Sequence, residues 1–248
     1  MNLIVCVKST PVSDAVLKVL PQKPYIDRLN LKYDLNPYDE YAIEAAVQLK
    51  EQTGGSVIAI SVSDDATSSS LKRVLAMGAD KLIELRLPYV GLNEPLTIAR
   101  LLAAEIRTLP FDLILLGKQA IDTGNGATGA LLASLLNLPY IAAVTNLSVT
   151  NGKLEATREL EDCRLTLECV LPAVITTEKG LNKPRYPSLR DIMAAKKKEI
   201  VVKVVTPEEE NLDIAQLQPP APRAVGKILT DPTVAVPELV SFLKNQGI

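Results

Sequence analysis

The chain reads as an α/β protein: a doubly wound, mainly parallel sheet with an antiparallel β extension and a C-terminal arm. Three observations predict this. Between residues 1 and 140, near-continuously apolar runs alternate with amphipathic stretches, as happens when helices cover both faces of a parallel sheet. Beyond residue 143 the apolar period falls to two, which marks antiparallel strands with one face covered. From Pro207 to Arg223 the chain is rich in Pro, Glu and Gln and lacks a core pattern, so it should run extended.

Leu3–Val7, Ser56–Val62, Lys81–Leu85 and Asp112–Leu116 are the predicted parallel strands. Pro37–Gln52 is the first helix. Its apolar residues fall at 38, 41, 42, 45, 46 and 49, one face of a 3.6-residue period, with Asn36 as N-cap, Pro37 opening it and Gly54-Gly55 ending it. Asp65–Met77, Glu94–Leu109 and Gly126–Leu136 are the next three helices. Ala143–Val149, Lys153–Glu159 and Arg164–Val170 alternate apolar and polar, and Asn151-Gly152 signals a tight hairpin. A short strand at Pro172–Thr177, a polar stretch from Glu178 to Arg190, a short helix near Leu189–Ala195 and a strand at Glu199–Val205 follow. Pro237–Asn245 is a terminal helix. Residues 1–205 therefore form one α/β domain, and 206–248 an arm that either clasps another chain or folds back on its own domain.

Composition removes several functions. Among 248 residues there is no histidine, so serine-histidine and cysteine-histidine catalysis and histidine-ligated metal sites are excluded within the chain. A net charge of −2 argues against a nucleic-acid coat. Three cysteines, Cys6, Cys163 and Cys169, form no Cys-x-x-Cys pair and fit a reducing compartment. No signal peptide and no apolar run of the roughly 20 residues needed to span a bilayer is visible; a soluble cytoplasmic protein is expected.

In open parallel sheets ligands bind beyond the C-terminal strand ends. There the informative segment is Gly117 to Gly129, where a buried strand ends in a loop carrying Gly117, Gly124, Gly126 and Gly129 and leads into a helix. Glycines let backbone N–H groups approach an anion, and a helix N-terminus favours negative charge; Thr123 and Thr128 add hydroxyls. The segment reads as a phosphate cradle or as a glycine-rich turn with caps. Asn36-Pro37-Tyr38-Asp39 reads as simple capping unless it lies beside that loop. Cys6 and Val62 sit at strand tips placed to face one crevice, while Cys6, within an apolar strand, reads first as a small buried residue. Lys196-Lys197-Lys198 and Glu208-Glu209-Glu210 read as solvated charge. Leu181 reads as a leucine exposed in a polar loop, either a lone surface residue or an anchor for a partner's pocket.

Taken together these segments resemble the β subunit of electron transfer flavoprotein. Val5-Cys6-Val7-Lys8, Asn36-Pro37-Tyr38-Asp39-Glu40, Ala76-Met77-Gly78-Ala79-Asp80, Gly117-Lys118-Gln119-Ala120-Ile121-Asp122, Leu181-Asn182-Lys183-Pro184-Arg185-Tyr186 and Ile192-Met193-Ala194-Ala195-Lys196 occur in the family's order. The resemblance implies an adenine nucleotide α-hydrolase-like nucleotide-binding fold and a heterodimer with an α subunit that holds most of the redox FAD. It implies an AMP in this subunit, replaced by a second FAD in electron-bifurcating members. It further implies electron flow from acyl-CoA and related dehydrogenases to a quinone oxidoreductase or another acceptor, with no catalytic residue and no metal site in this chain. The implied nucleotide site comprises Cys6, Asn36, Pro37, Tyr38, Asp39, Val62, Asp122, Thr123, Gly124, Asn125, Gly126, Ala127, Thr128 and Gly129. Tyr38 is implied to lie near the α-subunit flavin. The loop 178–190, with Leu181, Asn182, Pro184, Arg185 and Tyr186, is implied to recognise partners, and the arm to wrap the α subunit. A different class, a nucleotide-hydrolysing enzyme on the same fold, would require Asp122 as a metal-binding acid.

Overall fold

The computed structural model describes residues 1–20, 26–90, 94–206, 214–223 and 225–247. The expectation for Glu208–Glu210 lies outside these residues. A nine-stranded sheet forms the centre, in the order β11-β5-β4-β1-β6-β10-β7-β8-β9. Its parallel part comprises β1 (Asn2–Cys6), β4 (Ser56–Ser63), β5 (Lys81–Arg86), β6 (Leu113–Gly117), β10 (Ala173–Thr177) and β11 (Glu199–Val204), with β7 (Tyr140–Thr150) parallel to β10. β8 (Lys153–Glu159) and β9 (Arg164–Val170) add the antiparallel extension at one edge. A separate two-stranded ribbon, β2 (Ser9–Pro11) with β3 (Tyr33–Leu35), lies between β1 and the first helix in sequence; no periodicity marked such short strands.

The alternation along each central strand divides the core in two. Leu3 and Val5 of β1 and Leu113 and Leu115 of β6 join α1 (Pro37–Thr53) and α3 (Arg73–Met77) on one face. Ile4, Cys6, Ile114 and Leu116 join α4 (Pro95–Ile106) and α5 (Thr128–Leu136) on the other. Burial on both faces is why these strands read as unbroken apolar runs.

Where the elements differ from expectation, local chemistry explains it. The single helix expected over Asp65–Met77 is two, α2 (Ser68–Leu71) and α3. In its serine run, the Ser70 hydroxyl donates to Thr67 O at 2.9 Å, and such side-chain bonds compete with helix continuation. The helix expected from Gly126 starts at Thr128, because Gly126 holds a left-handed φ of 61°. The terminal helix α7 begins earlier, at Pro232, where the Asp231 carboxylate accepts from Thr233 N at 2.9 Å; this Asp-Pro-Thr start signal precedes Pro237, which sits inside the helix. α7 has no buried residue. No helix among the described residues is long and apolar enough to cross a membrane.

Candidate functional site

From β1 the chain builds outward to β4 and β5 and then returns to β6 on β1's other side. This reversal opens a crevice beyond the strand ends. It encloses about 800 Å³ including its open mouth and is lined by Cys6 at the end of β1 with Val7 and Lys8 just after it, Val62 from β4, and Leu116 and Gly117 at the end of β6 with Lys118 to Ala120 in the loop beyond. Val90, Ile98 and Leu102 give it an apolar wall. That wall went unpredicted, because its residues read as ordinary helix and loop apolars.

Three elements are tied together at its base by Asp39, in the first turn of α1. Its carboxylate accepts Lys8 N at 2.7 Å, Gly117 N at 3.0 Å and Asn36 Nδ2 at 2.9 Å. Burial opposes its ionisation and pushes its pKa up to about 7, against these three donors, which favour the charge. A Cβ on Gly117 would lie 2.4 Å from Asp39 Oδ1 and 2.6 Å from Tyr38 Cβ; glycine is what lets α1 approach this closely. Asn36 occupies the N-cap position without capping α1. Instead its Nδ2 donates to Gln119 O at 2.9 Å and its Oδ1 accepts Ile121 N at 3.1 Å, so Asn36 shapes the glycine loop across 83 residues of sequence. The capping expectation for its side chain is thereby corrected.

The loop itself climbs through left-handed turns at Gly124 and Gly126, with φ of 64° and 61°. It enters α5 at Ala127, which provides no side-chain cap, and the first turn of α5 carries no acid. The first N–H groups of any helix lack intrahelical partners; here they open beside the crevice lining of Thr123 and Asn125 to Gly129. Gly129 packs tightly enough that a Cβ would come within 2.5 Å of Thr176 Cγ2. Lys8 Nζ donates to Asp122 Oδ1 at 2.8 Å and stands at the same distance from Oδ2. The acid nearest the loop is thus answered within the chain, a pairing that sequence separation concealed.

The structure brings together Cys6, Asn36, Asp39, Val62, Thr123, Asn125, Gly126, Ala127, Thr128 and Gly129 as lining of one crevice. Four predicted residues stand off it. Pro37 is exposed at the start of α1, Gly124 faces open space, and Asp122 lines an adjoining pocket that shares Lys8 and Val90. Tyr38 lies beside Gly117, with Lys118 Nζ 5.1 Å from its ring centroid. Lys118 also pairs with Glu178, which raises its pKa. Burial raises the pKa of the Cys6 thiol, so it is a packing residue rather than a nucleophile.

The loop after β10 departs from expectation. Leu181 is half-buried and packs against the core face that includes Leu154 and Val144; the expected exposure is corrected, because the loop folds back along α1. Asn182 Nδ2 donates to Tyr41 O at 2.9 Å. Arg185 bridges Glu44 and Glu51 of α1, its Nε donating to Glu44 Oε2 at 2.8 Å and its Nη1 to Glu51 Oε1 at 2.7 Å. The apolar side chains this segment does present are Tyr186, 88% exposed, and Leu189, 83% exposed at the start of α6 (Leu189–Ala195). Leu189 shares one helical stripe with Ile192 and Met193, at i, i+3 and i+4, and all three are exposed.

The fold and crevice define an open α/β protein with a crevice at its switch point, where folds of this class bind ligands. The profile described as "Electron transfer flavoprotein domain" matches residues 25–208. Electron transfer flavoprotein subunit beta of Bacillus subtilis is 37% identical over 258 aligned residues, covering 100% of this chain and 99% of its own. The human subunit beta is 34% identical, covering 100% and 98%, and the mitochondrial one of Oryza sativa subsp. japonica 34% identical, covering 100% and 99%. The chain belongs to the electron transfer flavoprotein family.

Proposed function

We propose that this chain is the nucleotide-holding and partner-docking subunit of an electron transfer flavoprotein, paired with an α subunit that carries most of the redox FAD. The observation that supports this most is the uncapped N-terminus of α5, opening on a half-apolar crevice where Lys8 already answers Asp122. The residues fit an adenylate. Loop and α5 N–H groups would hold a phosphate, and Val62, Val90, Ile98 and Leu102 would flank the base. Backbone groups at Cys6 and Val62 would meet its edge. The flavin, when bound to the heterodimer, supplies the electron-carrying chemistry. This chain's residues position, exclude water and dock; Tyr38, beside Lys118, is the residue offered toward that flavin. Segment 178–190 docks acyl-CoA or related dehydrogenases through exposed Tyr186 and Leu189. Leu181, Asn182, Pro184 and Arg185 shape it from behind, and a quinone oxidoreductase or another acceptor receives the electrons. The C-terminal arm, with α7 unburied, clasps the α subunit.

Mass spectrometry of the small molecules released from the purified heterodimer tests the reading. AMP with one FAD per heterodimer is expected. Two FAD without AMP would replace the AMP assignment by a bifurcating one, and release of neither nucleotide would sink the site.

A further inference from the structure

The crevice and the pocket beside it share a wall. Val90 lines both. It belongs to neither helix nor strand. The bond from Leu87 N to Ser63 O, at 2.9 Å, still ties the chain to β4, but three residues further on no ladder fixes Val90. A wall that selects a flat ring has to be held in place by its neighbours.

Arg28 supplies that hold from the stretch leading into β3. Its Nη1 donates to Asp64 Oδ2 at 2.5 Å and its Nη2 to Oδ1 at 3.0 Å, a two-pronged pair. Asp64 Oδ2 also accepts Val90 N at 2.8 Å, and Arg28 Nη1 reaches Val90 O at 3.4 Å. The N–H and the C=O of Val90 thus end on one ion pair. The guanidinium stands 5.3 Å from the ring centroid of Tyr33 and 5.2 Å from that of Tyr89, within cation–π reach, and Nε donates to Tyr33 Oη at 2.8 Å. Asp64 is fixed in turn by the turn after β4, where its Oδ1 accepts Thr67 N at 3.1 Å and Thr67 Oγ1 at 3.0 Å.

The pair is sheltered, with the Asp64 side chain 4% exposed and that of Arg28 18%. A sheltered ion pair adds little net stability over apolar packing; what this one fixes is the place of Val90. Arg28 lines the adjoining pocket and not the crevice, so it acts from behind the wall. The groups that would hold a phosphate belong to the loop of Gly126 and the start of α5. Arg28 and Asp64 make no hydrogen bond to either among the described residues.

We propose that Arg28 is a positioning residue of the crevice: through Asp64 and Tyr89 it holds Val90 against the base, and so sets how strongly the base, rather than the phosphate, is recognised. This rests on the reading of the crevice as an adenylate site. The test uses the heterodimer freed of bound nucleotide. Calorimetry gives the dissociation constant of AMP, and competition against AMP that of inorganic phosphate, for the parent, Arg28→Met, Val90→Ala and the double variant. Each single change should weaken AMP about five- to tenfold while phosphate stays within about twofold. Because both act through one wall, the double variant should lie within about twofold of the weaker single. AMP affinity within about twofold of the parent in Arg28→Met, equal losses for AMP and phosphate, or single effects that multiply in the double variant overturn the proposal. If phosphate does not compete, the double-variant comparison on AMP decides alone. If Arg28→Met does not fold, Tyr89→Leu takes its place, at a residue 41% exposed. It should weaken AMP about threefold and spare phosphate, and unchanged AMP affinity in it overturns the proposal. A parent that binds neither AMP nor phosphate sinks instead the reading on which the proposal rests.

Discussion

Replacing Arg185 by methionine should separate loop architecture from docking. The Glu44 side chain is 4% exposed and that of Arg185 37%. Arg185 gives Glu44 three hydrogen bonds: Nε and the backbone N to Oε2 at 2.8 and 3.1 Å, and Nη2 to Oε1 at 3.1 Å. Breaking a fully buried ion pair costs about 3–5 kcal/mol, and an exposed pair about 0–1 kcal/mol. This pair lies between. After Arg185→Met, Glu44 keeps the backbone N–H and Gln48 Nε2 at 2.8 Å, so the expected loss is about 1.5–3 kcal/mol at pH 7. Glu51, over half exposed, adds little. The pH dependence carries the sign. Burial opposes ionisation of Glu44, but the bonds from Arg185 and Gln48 outweigh it and hold its pKa below the usual glutamate value. A depressed carboxylate contributes stability that is present above the unfolded pKa, about 4.3, and is lost as pH falls through the folded value. The gap between the parent and Arg185→Met should therefore be widest near neutrality and close in acid. Urea titrations at several pH values, with the slope checked for constancy, measure it. A difference under about 0.5 kcal/mol at pH 7, or one that does not shrink in acid, refutes the reasoning.

Other expectations follow from the same geometry. Gly129→Ala should destabilise the chain by about 1–3 kcal/mol in urea titration, less what alanine returns in helix propensity, because its Cβ would meet Thr176 at 2.5 Å. It should also weaken adenylate binding in calorimetry by displacing the start of α5; unchanged affinity argues against the cradle. Lys8→Met frees the Asp122 carboxylate beside the loop, and AMP affinity should fall about tenfold, or about 1.4 kcal/mol; tighter binding contradicts the role given to Lys8. Leu189→Ala should raise the KM for heterodimer in dehydrogenase turnover with the flavin spectrum intact. Leu181→Ala should instead lower the unfolding midpoint, and the reverse pattern would return the anchor to Leu181.

Much of the fold was legible because parallel strands covered on both faces must be apolar throughout. Leu3 to Cys6 and Leu113 to Leu116 feed two cores by simple alternation. Lys153–Glu159 and Arg164–Val170 were legible to the residue through their period of two. The short β2 and β3 were not, since three residues carry no period. Nor was the insertion of β10 between β6 and β7, which depends on crossover and not on composition. At the site, the glycine loop announced itself through residue type. Its coupling to Asn36, and the union of β1, β6 and α1 through Asp39, did not, because those bonds join positions 31 to 85 residues apart.

The sequence by itself determined the alternation of elements, the absence of imidazole chemistry, the glycine-rich turn and the family's motifs in order. These are properties of local pattern and residue type. Only the tertiary structure decided how polar and apolar groups were matched across the chain. It turned Asn36 from cap to loop brace, gave Asp122 to Lys8, and drew Leu181 down against the core while leaving Leu189 outward. Burial and hydrogen-bond completion are settled by what lies opposite in space, and a linear order of residues does not state that.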